Sequence, residues 1–238
     1  IVCGPSRNVP KDIKELSDQG YNTVDSFDIH TEISELVQNM GQITAKNSTV
    51  SITAAGWDPG TDSILRALFE AMAPSGTTFT NFGRGRSMGH SVAARSIRGV
   101  KDATSITIPI GGGRHSRLVY VLLEDGENFD EVRARIKADD YFAHDDLEVR
   151  EVQSEMELAL TADHSHGVLM ERIGASGLTS NQHLTFDMRI NNPALTAQIL
   201  VSCARAATRL TPGCYTLIDI PVVKLLAGER ETHISRLV

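Results

Sequence analysis

The feature that most constrains this chain is the alternation in its first part of short apolar stretches with amphipathic segments. Residues 1–3, 22–24 and 48–54 read as strands. Between the first two, Val9-Pro10 opens a helix, with proline in the first turn where its fixed φ fits, and Gly20 ends it. After DSFDIH, Thr31 can cap a second helix whose Ile33, Leu36, Val37, Met40 and Ile43 fall on one face. Strand–helix–strand–helix–strand is the signature of a parallel sheet. Such sheets hold ligands outside the carboxyl ends of their strands. The loops at those ends are GPSRN (4–8), DSFDIH (25–30) and GWDPGT (56–61).

The next helix places Ile64, Leu65, Leu68, Phe69 and Met72 on one stripe. Beyond it the pattern turns to strands: TSITIPI, RLVYVLLE, LEVREVQ, HGVLMERI and LTFDMRI. The last alternates Leu184, Phe186, Met188 and Ile190 against Thr185, Asp187 and Arg189. That alternation indicates a sheet with one wet face, antiparallel or mixed. A helix carrying Phe129, Val132 and Ile136 lies among these strands. Asn192 caps and Pro193 opens a well-signalled helix, NNPALTAQILVSCARAAT, and a final strand is predicted at 215–220. The layout is therefore an incomplete parallel α/β unit followed by a mixed α+β domain, without repeats or low-complexity linkers.

Composition excludes several classes. A net charge of −7 argues against a nucleic-acid partner, which needs a cationic footprint. No apolar run approaches the length of a membrane span. Cys3, Cys203 and Cys214 are odd in number and lack metal-type spacing, so they read as reduced thiols of a cytoplasmic protein.

Two acidic loops stand out chemically. Asp28 and Asp58 each follow a strand of the same sheet, so both project at one edge, where paired carboxylates can hold an ammonium group or manage its protons. Aspartate is equally at home at helix entries and turns, and spacing alone does not separate the two readings. NFGRGRSMGH (81–90) is a glycine-rich basic loop whose backbone can approach a ligand closely. In IGGGRHSRLVY (110–120), Arg117 enters a strand and can grip a carboxylate, or serve as a surface arginine beside a hairpin turn. In DHSHG (163–167), His164 and His166 share a strand face; with no cysteine or carboxylate at ligand spacing, no metal site is expected, and a hydrogen bond to an anion is the better functional reading.

In this order and spacing, TVDSFDIH, GWDPGTDSILR, NFGRGRSMGH, SITIP and MRINNPALTAQ resemble the meso-diaminopimelate dehydrogenase family, in its branch with a short loop before HSRLVYVLLE. The match covers essentially the whole chain. The resemblance implies the back half of a Rossmann-type parallel sheet over 1–56, a mixed α+β substrate-binding and dimerisation domain over 57–191, and a C-terminal helix and strand, 192–238, that return to the nucleotide domain. It implies a cytoplasmic homodimer that uses NADP to deaminate the D-centre of meso-diaminopimelate oxidatively, a step of lysine biosynthesis. Asp28 and Asp58 would contact the reacting amino group, and Trp57 would wall its pocket. Phe82 would pack on the substrate, and Met88 and Gly89 would line the carboxylate of that centre. Thr107, Arg117, His166 and Asn192 would fix the distal L-centre. Cys3, Gly4, Pro5 and Ser6 would border the nicotinamide.

Family members open with a Gly-rich nucleotide fingerprint that lies upstream of the point where this sequence starts, by roughly 60 residues or about two βα units. The expectation is a sequence shortened relative to its natural protein, or a fragment that keeps the substrate and dimerisation parts. Two further activities fit the same residues: a non-catalytic diaminopimelate-binding module, and a D-amino acid dehydrogenase of broader specificity.

Overall fold

The protein is described here by a computed structural model covering residues 1–111, 113–161 and 165–238. In chain order its elements are α1 (Val9–Asp18), β1 (Thr23–Val24), α2 (Ile33–Asn47), β2 (Val50–Ile52), α3 (Thr61–Met72), β3 (Ser75–Phe82), β4 (Gly85–Ser87) and α4 (Met88–Arg95). There follow β5 (Val100–Gly111), β6 (Arg114–Leu123), α5 (Phe129–Ala138), β7 (Asp146–Val152), α6 (Glu155–Thr161), β8 (Ser165–Ser176) and β9 (Thr179–Asn191). The chain ends with α7 (Asn192–Ala207), β10 (Gly213–Tyr215) and α8 (Arg230–Leu237). The α/β class expected from the sequence is borne out. Two compact units form: Ile1–Leu68 together with Ala194–Val238, and Phe69–Pro193.

The first unit is built on a parallel sheet in the order β1-β2-β10. Every residue of β1 and β2 is buried, as parallel strands covered on both faces require. One core joins Val24, Val50 and Ile52 to Leu200, Cys203, Ala206 and Leu217. Another gathers Val9, Ile13, Phe27, Leu36 and Met40.

Several local expectations are corrected. The strand predicted at 1–3 is a single parallel bridge from Val2 to Asp25. Thr31 lies inside a 3-10 turn, His30–Glu32, and no side chain caps α2. On α3, Phe69 is buried but Leu68 and Met72 are exposed, so the predicted apolar stripe is only partly covered. The strand predicted at 215–220 stops at Tyr215, because Asp219 accepts from both the backbone and the hydroxyl of Thr216. That capping box bends the chain into a 3-10 turn, Leu217–Asp219.

The second unit holds two sheets, an antiparallel β3-β8-β9 and a mixed β4-β5-β6-β7. Only β6 and β7 pair in parallel in the latter, and α5 makes the crossover between them. Ala103, Val119, Val121, Val132, Ile136 and Phe142 form the core against that sheet. From Gln182 onward β9 alternates half-buried and exposed residues, which bears out the wet-face reading. At Gly85 a Cβ would collide with the Ser165 carbonyl, so the close pass of β4 by β8 admits only glycine.

Ile52 lies at 0% exposure in the central strand of the parallel sheet. Ile52→Ala is expected to lower unfolding free energy by about 2–5 kcal/mol. Urea denaturation checks this, and a loss well under 1 kcal/mol would contradict the burial argument.

Candidate active site

The edge of the first unit's sheet is organised by a residue that the sequence reading passed over. Asp25 is fully buried at the end of β1. Its Oδ1 accepts from the Phe27 amide at 2.9 Å, the Thr53 hydroxyl at 2.8 Å and the Ala54 amide at 3.4 Å. Its backbone also bridges the strands, donating to Ile52 at 3.0 Å and accepting from Ala55 at 2.9 Å. One carboxyl thus ties the loop after β1 to the loop after β2. It also helps hold Ala54 at φ 55°, a left-handed conformation that alanine rarely adopts. Burial pushes this carboxyl up to about 6, against the opposing pull of the three hydrogen bonds.

The loop after β2 folds back on itself. The Gly56 amide donates to Pro59 O at 3.0 Å, Thr61 to Gly56 O at 3.2 Å and Asp62 to Trp57 O at 2.9 Å. Gly60 has φ 141°, and a Cβ there would collide with the Gly56 carbonyl. The glycine of GWDPG is therefore a steric requirement. The turn buries Trp57 and sets Asp58 before α3, where Arg66 Nη1 reaches Asp58 Oδ1 at 2.8 Å as an ion pair. On the neighbouring loop, Asp28 is half-buried and accepts from Ser6 Oγ at 2.5 Å. Asp28 and Asp58 thus issue from adjacent parallel strands, β1 and β2, at the same edge.

The second unit assembles a different chemistry. Thr107 is the cross-strand partner of both Gly85 and Arg117, which puts the three in a row across the sheet. Arg117 Nη1 donates to Thr107 Oγ1 at 3.0 Å, and Nη2 lies 3.3 Å from His115 Nε2. Arg117 Nε donates to Asp145 at 2.7 Å. The Phe82 ring packs edge-on against His115 and His166, at centroid distances of 5.7 and 6.3 Å. The Gly167 amide donates to His166 Nδ1 at 2.9 Å, so the neutral ring carries its proton on Nε2 and can donate there to an anion. Burial, then the neighbouring Arg117 charge, pull His115 down and favour its neutral form.

Asn192 Nδ2 donates to Arg86 O at 3.1 Å, fixing the start of α7 against β4. Met88 and Gly89 occupy the first turn of α4, whose amides favour an anion. The structure therefore gathers Phe82, Thr107, Arg117 and His166 through one chain of contacts, and sets Asp28, Trp57 and Asp58 on one sheet edge. Among the described residues no group of three or more His, Cys, Asp or Glu is placed to hold a metal ion; His164 lies outside them.

Sequence reasoning missed Asp25, Asp62, Arg66, His90 and Asp145. Asp62 is the most unusual of these. It is fully buried in the first turn of α3, and neither carboxyl oxygen has a hydrogen-bond partner among the described residues. Burial first, then the charge of Asp58, push it up to about 7, while Arg66 pulls the other way. No sequence pattern marked Asp62, because aspartate is an ordinary residue in the first turn of a helix.

Residues 56–113 match the family model described as the diaminopimelic acid dehydrogenase C-terminal domain. The chain is 53% identical to the meso-diaminopimelate D-dehydrogenase of Bacteroides fragilis, over all of this chain and 79% of that protein. It is 35% identical to the protein of the same name from Lysinibacillus sphaericus, over 93% of this chain and 74% of the relative. Among solved structures, the DAP dehydrogenase of C. glutamicum in complex with DAP superposes with a TM-score of 0.86 at 26% identity, covering 99% of this chain and 80% of that one. No helix among the described residues is long and apolar enough to cross a membrane.

The raised pKa of Asp62 fixes the sign of a stability effect. Between an unfolded value near 3.8 and a folded value near 7, the folded chain binds more protons, so stability falls as pH rises through that window. Asp25 acts in the same direction up to about pH 6. Asp62→Asn mimics the protonated carboxyl. It is expected to be more stable than the parent at pH 8 by about 1–3 kcal/mol, with the difference closing toward pH 5. A variant equally or less stable at pH 8 in denaturant titrations would contradict a buried Asp62 with no hydrogen-bond partner among the described residues.

Proposed function

The chain belongs to the meso-diaminopimelate D-dehydrogenase family, and from that membership we propose that it oxidatively deaminates the D-centre of meso-diaminopimelate. The product, L-2-amino-6-oxopimelate, cyclises to tetrahydrodipicolinate, and the reverse reaction is a reductive amination. The observation that carries this reading is the division of charge between the two clusters. The first unit's sheet edge carries carboxylates that suit an ammonium group, and the second unit holds Arg117 with Thr107 and His166, which suit a carboxylate. A substrate with an amino-acid group at each end calls for both.

Removing a hydride from the α-carbon needs an acceptor, which bound NADP supplies through its nicotinamide ring. Cys3, Gly4 and Pro5 form an exposed ledge after the Val2–Asp25 bridge, with Ser6 on Asp28, and this position fits the flat ring end of the cofactor. The amine must lose a proton before its C–N bond gains double-bond character. One carboxylate of the Asp28–Asp58 pair accepts that proton, and the pair faces the growing positive charge. Arg66, paired with Asp58, orients it. Trp57 walls the amine pocket, and the first-turn amides of α4 at Met88 and Gly89 suit a substrate carboxylate. Phe82 packs on the substrate, and Thr107, Arg117, His166 and Asn192 hold the distal L-centre. Holding both ends aligns the reacting carbon, and small misplacements are expensive in rate.

The protein acts in the cytoplasm as a homodimer, in the synthesis of lysine and cell-wall precursors. The dimer is supported by the outer face of β3-β8-β9, where Phe79, Leu169 and Ile173 are 40%, 38% and 53% exposed. On that face they are interleaved with Thr77, Asn81 and Glu171.

NADPH and ammonia are expected to form when the protein meets NADP and meso-diaminopimelate. Asp28→Asn and Asp58→Asn should each lower kcat by about 10²–10⁴-fold. Arg117→Ala should instead raise KM for meso-diaminopimelate. Equal turnover of D-alanine and meso-diaminopimelate would reassign the protein as a general D-amino acid dehydrogenase. Substrate binding without NADPH formation would reduce it to a binding module.

A further inference from the structure

Arg117 does not stand alone on its sheet. Asp145 Oδ2 accepts from Arg117 Nε at 2.7 Å and lies 3.1 Å from His90 Nε2. The other ring nitrogen of His90, Nδ1, is 2.9 Å from Ser87 Oγ. These side chains are largely withdrawn from solvent, with Arg117 10%, Asp145 17% and His90 18% exposed. Despite burial, which raises it, the Asp145 carboxyl is held below its usual range by the His90 hydrogen bond and the Arg117 charge.

The fold leaves Asp145 little freedom. It immediately precedes β7, whose parallel register sets Asp146 beside Ser116 and Leu147 beside Arg117. The turn before it is closed by the Phe142 amide on Asp139 O at 2.9 Å and the Asp145 amide on Phe142 O at 3.0 Å. Phe142 is 2% exposed in the core and packs on the His90 ring at 5.5 Å. Tyr141 packs on the same ring at 4.9 Å. An aspartate so anchored is a fixed acceptor, whereas arginine is a long chain with much rotamer freedom to lose.

We propose that Asp145 is the positioning residue of the Arg117 clamp, and thereby a determinant of selectivity for substrates that carry a carboxylate remote from the reacting centre. The inference rests on the reading of Arg117 as the distal clamp. Nε on Asp145 and Nη1 on Thr107 fix the guanidinium plane on two sides, so the direction in which its edge meets a carboxylate is set before substrate arrives. Asp145 also offsets the Arg117 charge, which by itself weakens attraction for an incoming carboxylate. The two effects have opposite signs, and the positioning effect is the larger, because the carboxylate pair draws its strength from alignment of planar groups.

The test compares Asp145→Ala, Asp145→Asn and Arg117→Ala with the parent enzyme. KM and kcat are measured for meso-diaminopimelate, with the inhibition constant of D-lysine, which lacks the distal carboxylate. Asp145→Ala should raise KM for meso-diaminopimelate by about tenfold or more, with kcat and the D-lysine constant within about twofold. Unchanged D-lysine binding also shows that the variant is folded. Asp145→Asn keeps an acceptor for Nε and should restore KM to within about threefold of the parent. A lower KM in Asp145→Ala, a parallel loss of D-lysine binding, or an Asn variant no better than the Ala variant would overturn the proposal. A raised KM in Arg117→Ala beside an unchanged one in Asp145→Ala would overturn this inference alone. An unchanged KM in Arg117→Ala would overturn the clamp reading beneath it.

Discussion

The Asp25 carboxyl is the interaction on which the carboxyl edge of the parallel sheet depends. A two-residue strand beside a three-residue strand offers few ladder bonds to position the loops that leave them. Asp25 adds a second fastening at the carboxyl edge: one oxygen takes donors from both loops, and the residue's own backbone joins the strands. Desolvating that carboxyl is unfavourable and raises its pKa, and three donors offset part of the penalty. The consequence is a rigid origin for Asp28 on one loop and Asp58 on the other. Carboxylates carried on short loops hold a fixed position only with such an anchor, and small misplacements at a reacting centre are expensive in rate.

The second cluster reaches rigidity by another route. Thr107 and Arg117 are fixed by antiparallel register, Asp145 by the parallel strand on the far side, and His166 by its own neighbouring amide. Where the first unit relies on a buried acid in loops, this one relies on side chains rooted in strands and locked by neighbouring polar groups. The first presents carboxylates and the second a guanidinium, so the two clusters offer opposite charge.

Much of this was legible in the sequence, and the gaps have physical causes. The βαβαβ order was readable because helix periodicity frames even very short strands. The residues of GWDPG stood out because a lone tryptophan in a Gly/Pro turn is unusual, and the structure supplies the steric reason for Gly60. The 1–3 strand shrank to one bridge, and the 215–220 strand broke at the Thr216–Asp219 box, because apolar runs do not encode hydrogen-bond pairing. Asp25, Asp62 and Asp145 were invisible as special residues. Aspartate is common at turns and helix starts, and only the fold distinguishes an exposed cap from a buried acceptor. Arg117 could be named from the sequence; what orients it could not, since Asp145 lies 28 residues away and meets it through strand register.

The central claim is that one end of the substrate is oxidised while the other is held by its opposite configuration. The most direct measurement is NADPH formation with meso-, LL- and DD-diaminopimelate supplied separately in saturating NADP. Sustained turnover of the meso isomer, with the LL isomer inert and the DD isomer poorly used, is the predicted result. Comparable rates with the LL isomer, which has no D-centre to oxidise, would contradict the account.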